Sequence, residues 1–229
     1  MIKIATKDQI ISLIKKDNPI NCFGYVKNIV KPLALEQLNN YILQCKECDL
    51  KCRKKSITFG NPYAKIMIIS DYIIDIDKDL SKPFIGTEYE IMLSKTLEMC
   101  NLTLDDVFII NSVNCYPCEI DSNKKLNKVI PHTDMVNRCK PFILQALDII
   151  EPELVLLLGP LSLNLFKEAS LNKEKGKLFT YGKINMVATY SPSYFKEYEN
   201  IKDEDTLNEE KWEFVEHITN AINTIFKEE

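Results

Sequence analysis

The chain has 229 residues, of which 45% are hydrophobic and 27% are charged, and this length can bury one substantial core. The formal net charge of −4 and the pI near 5.4 exclude a broad basic surface for nucleic acid, so any such contact must be local. No apolar run approaches the roughly 20 residues that span a bilayer, and charges interrupt the first residues. We therefore expect a cytoplasmic protein without a membrane partner.

The first part of the chain carries no recognisable motif. We expect residues 1–32 to be an N-terminal extension of unknown role and residues 33–229 to form the main domain. The segment from Leu33 has apolar residues at helical spacing up to Ile42, which predicts a helix that runs into a C-x-x-C pair.

Beyond this pair, short apolar runs alternate with helical patterns. Such alternation predicts an α/β fold, a three-layer α/β/α sandwich around a central, mainly parallel four-stranded sheet. Functional groups are expected at the carboxyl ends of these strands. The stretch DSNKKLNK, within 121–128, is expected to be an exposed loop. The predicted strands cover 64–72, 107–114, 154–159 and 184–192, and the predicted helices cover 91–102, 141–152, 160–169 and 209–226.

Eight cysteines are many for an intracellular chain of this size, and clustered cysteines in a reducing compartment typically bind metal or do redox chemistry. Cys45 and Cys48 form the C-x-x-C pair. Cys115 and Cys139 both lie beyond the first two predicted strands, each near the end of a predicted strand or helix. Four thiolates could form a metal site only if the fold brings these segments together. From the residues alone a redox pair, a zinc site or ordinary buried thiols remain open, with zinc ahead of iron.

Several short motifs follow one another along the chain. CKECDLKC and the following FGNPYAKIM lead into the first predicted strand, and KPFIG, FIINSVNC, RCKPFILQ and TYSPSYF come later, in this order. In this order they resemble the motifs of the iron-sulfur uracil-DNA glycosylases, family 4 of their superfamily, in which the first two open the domain. The resemblance covers about residues 33–225. It implies the same α/β fold.

The resemblance also selects four of the eight cysteines. The positions that match the ligands of the family's cubane of four irons and four sulfurs are Cys45, Cys48, Cys115 and Cys139, in preference to Cys52 and Cys118. Thiolates suit such a cluster. The implied 4Fe-4S cluster is structural and ties together loops near DNA.

The resemblance further implies a pocket for a base flipped out of DNA. Phe84 matches the phenylalanine that stacks on the flipped base. Asn111 matches the asparagine that reads the base edge, where an amide can donate and accept together. The alternatives are a core aromatic residue for Phe84 and a loop-capping amide for Asn111.

Two catalytic positions depart from the family. Asp71 takes the place of a glutamate that orients water or contacts the base, and its side chain is one methylene shorter. Ser191 takes the place of the histidine that donates to the departing base. A serine stabilises a developing anion less well because it cannot become a cation. Neither histidine of the chain lies in a matching motif, although His132 is a candidate substitute.

Further residues are candidates for contact with DNA. Ser193, Tyr194 and Phe195 fall where the superfamily inserts a wedge into DNA, with a hydrophobic helix cap as the alternative. Lys54 and Lys55 lie beside the first cysteines and could contact phosphates. Further basic residues with the same possible role are Lys51, Arg53, Lys124, Lys125 and Lys128.

The resemblance implies a monomeric DNA glycosylase that flips out uracil or another damaged or modified base and excises it. Hydrolysis of the N-glycosidic bond would leave an abasic site. The alternative is a catalytically inactive iron-sulfur module on the same fold that binds DNA or a partner. A zinc-ribbon adaptor unrelated to glycosylases is a third possibility.

Overall fold

The computed structural model describes residues 19–48, 55–72, 88–120 and 126–226. The described helices are α1 (Pro19–Gln44), α2 (Glu88–Glu98), α3 (Thr133–Ile150), α4 (Pro160–Asn164), α5 (Leu171–Glu174), α6 (Pro192–Tyr198) and α7 (Glu204–Phe226). The described strands are β1 (Phe59–Gly60), β2 (Ile66–Tyr72), β3 (Val107–Val113), β4 (Cys118–Ile120), β5 (Leu126–Lys128), β6 (Leu154–Leu158), β7 (Leu178–Tyr181) and β8 (Ile184–Thr189). In this part of the chain, no helix has both the length and the apolar character that a membrane crossing requires.

The main sheet has six strands in the order β1-β3-β2-β6-β8-β7. Its four inner strands are parallel and form the predicted sheet. The outer strands β1 and β7 are antiparallel to their neighbours and were not predicted. The α/β class is therefore confirmed, and the sheet is wider than the four strands expected.

Helices cover both faces of this sheet. On one face, α1, α3 and α4 pack over odd-numbered positions of β2 such as Met67 and Ile69. On the other face, α2, α6 and α7 pack over Ile66 and Ile68. Because successive side chains of a strand point to opposite faces, each inner strand contributes apolar side chains to both cores. This arrangement is the predicted three-layer sandwich.

Helix α1 begins earlier than the sequence predicted. It runs from Pro19 through Pro32 to Gln44, so the predicted boundary between an extension and the main domain falls within one helix. Lys31 is packed against the end of α3, where its Nζ donates to the Ile150 carbonyl at 2.7 Å. The C-terminal end of α1 leads directly to Cys45, as predicted.

Helix α3 also begins earlier than predicted. It starts at Thr133 and continues through Pro141, which places Cys139 in its second turn rather than before it. A second difference concerns the expected loop at 121–128, because residues 126–128 form β5 and pair with β4 in a small antiparallel hairpin.

The carboxyl ends of the four inner strands define one edge of the sheet. Asn111 of β3 is in register with Ser70 of β2, and Ser70 is in register with Leu158 of β6. Leu158 is in turn in register with Thr189 of β8. The predicted catalytic residues therefore lie at or just beyond one level of the sheet.

Candidate functional site at the carboxyl edge of the sheet

Asn111 lies where the predicted base reader should be, at the carboxyl end of β3. Its side chain is only 3% exposed, and its register partner Ser70 is fully buried. In-register residues of neighbouring parallel strands point to the same face, so the two side chains are neighbours. The Ser70 hydroxyl has no hydrogen-bond partner among the described residues.

Asp71 lies one residue beyond Ser70 and points to the opposite face. Its Oδ1 accepts a hydrogen bond from the Ser162 N–H at 2.8 Å, and the Leu161 N–H also bonds to this carboxylate. The side chain therefore caps the first turn of α4 from a neighbouring strand. Burial raises the pKa of Asp71 to about 7, against the opposing effect of these hydrogen bonds.

Gly159, at the end of β6, provides the space for this carboxylate. A Cβ at Gly159 would lie 2.2 Å from Asp71 Oδ2, and the residue has a φ of 113°. Glycine is therefore required here both by conformation and by contact. Sequence reasoning missed Gly159 and Ser162, because the only signal was a glycine before a proline, which indicates a turn but not its partner.

Ser191 lies just beyond β8 and is the N-cap residue of α6, although its side chain makes no capping bond. Its Oγ lies 2.8 Å from the Ser193 Oγ, and both serines are buried. Ser191 is thus at the strand end where the sequence predicted a donor to the departing base. Its hydroxyl is engaged with its neighbour.

A stack of three tyrosines supports the loop of Ser191. The ring centroids of Tyr190 and Tyr194 are 4.9 Å apart, and those of Tyr194 and Tyr198 are 4.5 Å apart. Lys175 lies over the Tyr190 ring, 4.6 Å from its centroid, and Lys202 lies over the Tyr194 ring at 5.1 Å. These cation–π contacts join the stack to Lys175 and Lys202.

Glutamates of α7 complete this network. Glu213 Oε2 accepts from the Tyr190 hydroxyl at 2.9 Å and pairs with Lys175. Glu210 accepts from the Tyr194 hydroxyl at 3.0 Å and pairs with Lys202 at 2.5 Å. The start of α6 is therefore fixed to α7 by aromatic and charged contacts together.

Phe195, predicted as part of a DNA wedge, lies in the core. It is 5% exposed and packs edge-on against Phe214, with ring centroids 5.9 Å apart. Tyr194 is half-buried in the stack described above. These contacts correspond to the hydrophobic helix cap that was the alternative, and a wedge made by Phe195 would require its ring to leave the core.

The two histidines lie in different places. His132 is exposed and precedes α3, without a side-chain capping bond. The Nδ1 of His217, on α7, lies 2.9 Å from Thr189 Oγ1. Burial lowers the pKa of His217. Thr189 is three strands from Asn111, which corresponds to about 14 Å across the sheet.

Two of the remaining predicted residues, Phe84 and Lys54, lie outside the described residues, as do Lys51, Arg53, Lys124 and Lys125. Lys55 is described, and its Nζ donates to the carbonyls of Leu43, at 2.7 Å, and Cys45. These carbonyls lie at the end of α1, where a cation is favourable. Contact with a phosphate would compete with these bonds.

The four predicted cysteine ligands come together. Burial raises the pKa of Cys139 to about 12, and Cys115, Cys48 and Cys45 add to this effect. Burial likewise raises the pKa of Cys115 to about 11, with smaller contributions from Cys48 and Cys45. Cysteines that affect one another's pKa must lie close together. These four therefore occupy one region, although they come from three separate segments of the chain.

Direct contacts hold these segments together. Lys55 and Cys115 form an isolated antiparallel bridge, and the Ser56 N–H donates to the Asn114 carbonyl at 2.8 Å. Arg138, next to Cys139, donates to the carbonyl of Glu47, between the first two cysteines. The fold itself therefore positions the cysteines.

The donor set fits an iron-sulfur cluster in two further respects. Cys118 is disulfide-bonded, whereas none of the four predicted ligands is part of a disulfide. Asn114, adjacent to Cys115, has a buried side-chain amide without a hydrogen-bond partner among the described residues. Within the same residues, no three metal-binding side chains are arranged to hold a single metal ion.

Comparison with known proteins relates this chain to one family. The model of the uracil DNA glycosylase superfamily matches residues 57–218. The type-4 uracil-DNA glycosylase of Saccharolobus solfataricus is 30% identical over 171 residues, which is 69% of this chain and 76% of that protein. The type-4 uracil-DNA glycosylase of Sulfurisphaera tokodaii is 27% identical over 172 residues, which is 70% of this chain and 74% of that protein.

Among solved structures, the crystal structure of SMUG2 from Pedobacter heparinus is similar over 83% of this chain and 98% of that chain, with 11% sequence identity and a TM-score of 0.49. The family-model match covers more than half of the chain, and the first relative reaches 30% identity over more than two thirds of it. The chain therefore belongs to the uracil DNA glycosylase superfamily and is related to its type-4 enzymes.

Proposed function

We propose that the protein is a DNA glycosylase that flips uracil, or another damaged or modified base, out of DNA and hydrolyses its N-glycosidic bond. The observation that carries this proposal is the position of Asn111, nearly buried at the carboxyl end of β3 in a chain of this superfamily. Its amide can donate to and accept from a base edge. We further propose that the protein acts as a monomer in the cytoplasm.

In the proposed reaction, water attacks C1′ of the nucleotide while the bond from C1′ to the base nitrogen breaks. The electron pair of that bond leaves with the base, which then takes up a proton, and an abasic site remains. Asn111 would hold the base edge, and the Ser191 hydroxyl, once released from Ser193, would donate to the base anion. Asp71 is held by α4, so we assign it mainly to positioning the β6–α4 turn.

A cleavage assay tests this proposal. The purified protein is incubated with oligonucleotides that contain uracil, hypoxanthine or a hypermodified pyrimidine, and alkali then breaks the strand at abasic sites. We expect cleavage of at least one substrate and its loss in Asn111→Ala, whereas Asn220→Ala, on the exposed face of α7, serves as the control. DNA binding without cleavage of any substrate would favour the inactive DNA-binding module instead.

We also propose that Cys45, Cys48, Cys115 and Cys139 hold a 4Fe-4S cluster. The proximity of the four residues supports this proposal, as does their position outside any disulfide, because cysteine thiolates are the usual ligands of such a cluster. When bound, the cluster would tie the loops together without taking part in bond cleavage.

The metal content tests the cluster proposal independently of activity. Protein purified without oxygen should be brown and absorb at about 400 nm. Cys115→Ser should remove this absorbance, whereas Cys100→Ser, a free cysteine on the other side of the sheet, should keep it. A colourless protein that contains zinc would contradict the proposal.

A further inference from the structure

We infer that the side-chain amide of Asn114 donates a hydrogen bond to a sulfur of the cluster site, and so stabilises the bound cluster. This inference rests on the proposed cluster. It concerns a residue to which the resemblance assigns no role.

The backbone of Asn114 is fixed among the cysteines. Its N–H donates to the Cys139 sulfur, and its carbonyl accepts from the Ser56 N–H at 2.8 Å. The next residue, Cys115, pairs with Lys55. Asn114 is therefore in contact with one predicted ligand and covalently joined to another.

The side chain of Asn114 is buried without a partner. It is 1% exposed, and neither Nδ2 nor Oδ1 has a hydrogen-bond partner among the described residues. A buried amide without partners is unfavourable and calls for an explanation. By contrast, the Oδ1 of Asn39 accepts hydrogen bonds from both the N–H and the hydroxyl of Thr58 at 2.9 Å.

A cluster sulfur is a suitable acceptor for Nδ2. Thiolates and cluster sulfides carry negative charge, so a neighbouring N–H stabilises them, and more strongly after reduction adds charge. Groups of this kind around a metal site affect both its reduction potential and its retention of metal. The other acceptor within the same part of the sheet would be a base held by Asn111, three residues earlier in the chain.

The test compares Asn114→Leu, which keeps the approximate shape and removes the amide, with Asn220→Leu on the exposed face of α7. Both are measured as cluster-loaded proteins. For Asn114→Leu we expect about 10-fold faster release of iron to a chelator, followed by the decay of absorbance at about 400 nm. We also expect a more negative reduction potential in film voltammetry, and no change for Asn220→Leu.

An unchanged release rate and potential in a folded Asn114→Leu protein would overturn the inference, and reduced base excision with an unchanged cluster would mean that the amide faces the base. If this variant does not fold, the inference is tested with the wild-type protein, labelled with ¹⁵N in its asparagine side chains. Double-resonance spectra of its reduced cluster should show coupling to an amide nitrogen, and the absence of coupling overturns the inference. Wild-type protein without iron would instead refute the cluster proposal itself.

Discussion

The Asp71 carboxylate accepts a hydrogen bond from the Ser162 N–H at 2.8 Å, which joins the end of β2 to the first turn of α4. Asp71, which takes the place of a glutamate in the family that the chain resembles, thus binds the protein's own backbone. This relationship leads to two predictions about stability, and the positions of Ser191 and Phe195 lead to two more.

The first prediction concerns Asp71→Asn and pH. Because burial raises the pKa of Asp71 to about 7 in the folded protein, the folded state binds more protons here than the unfolded state between about pH 4 and pH 7. The resulting stabilisation is present at low pH and is lost as pH rises through 7. From pH 5 to 7.5 the wild type should lose about 2 to 3 kcal/mol relative to Asp71→Asn. Denaturant unfolding of both proteins at several pH values measures this difference. A free energy of unfolding that changes with pH in the same way in both proteins would contradict the prediction.

The second prediction concerns Gly159→Ala. The new Cβ would collide with Asp71 Oδ2 and force an alanine into a φ of 113°, so we expect a loss of about 2 to 4 kcal/mol. Gly182→Ala is a matched control, because Gly182 also has positive φ but a Cβ added there would have no atom within 4 Å. It should lose about 1 kcal/mol. Thermal unfolding compares the two, and equal losses would show that the contact with Asp71 is unimportant.

The third prediction concerns Ser191→His. Histidine can donate to the departing base and can carry positive charge, so we expect kcat/KM for uracil excision to rise at least about 10-fold. Ser170→His, at an exposed position before α5, is the control and should leave the rate unchanged. No increase, in a variant that unfolds at the wild-type temperature, would argue against a catalytic role for this strand end.

The fourth prediction separates a core role of Phe195 from a DNA wedge. Phe195→Ala should cost about 3 to 5 kcal/mol of stability because it leaves a cavity against Phe214. Phe195→Leu should cost less than about 1.5 kcal/mol. DNA affinity, measured by fluorescence anisotropy, should remain unchanged in the leucine variant. A large loss of affinity without loss of stability would instead indicate that Phe195 inserts into DNA as a wedge.

The sequence predicted the central sheet well because its strands are buried on both faces. Runs such as LVLLL of β6 are fully buried, and a continuous apolar run is a clear signal. The edge strands β1 and β7 were not predicted, for physical reasons. Strand β1 has two residues, and three of the four residues of β7 are exposed, so neither has a hydrophobic pattern.

The sequence predicted which candidate residues lie at strand ends, but not the contacts that they make. Asn111 and Ser191 lie at the strand ends where parallel topology puts them. The direction of Asp71 depends on Gly159 and Ser162, about 90 residues later, and no local pattern reports such a distant contact. The clustering of Cys139 with the earlier cysteines likewise followed from the resemblance and not from spacing.

The tyrosine stack at the start of α6 has a mechanical consequence. Tyr190 and Tyr194 stack on each other, and their hydroxyls donate to glutamates of α7, so the turn between them cannot easily move relative to α7. If this turn contacts DNA, the duplex and not the turn must change its conformation. Base pairs that already open readily, such as mismatches, would then be the ones most easily brought to Asn111.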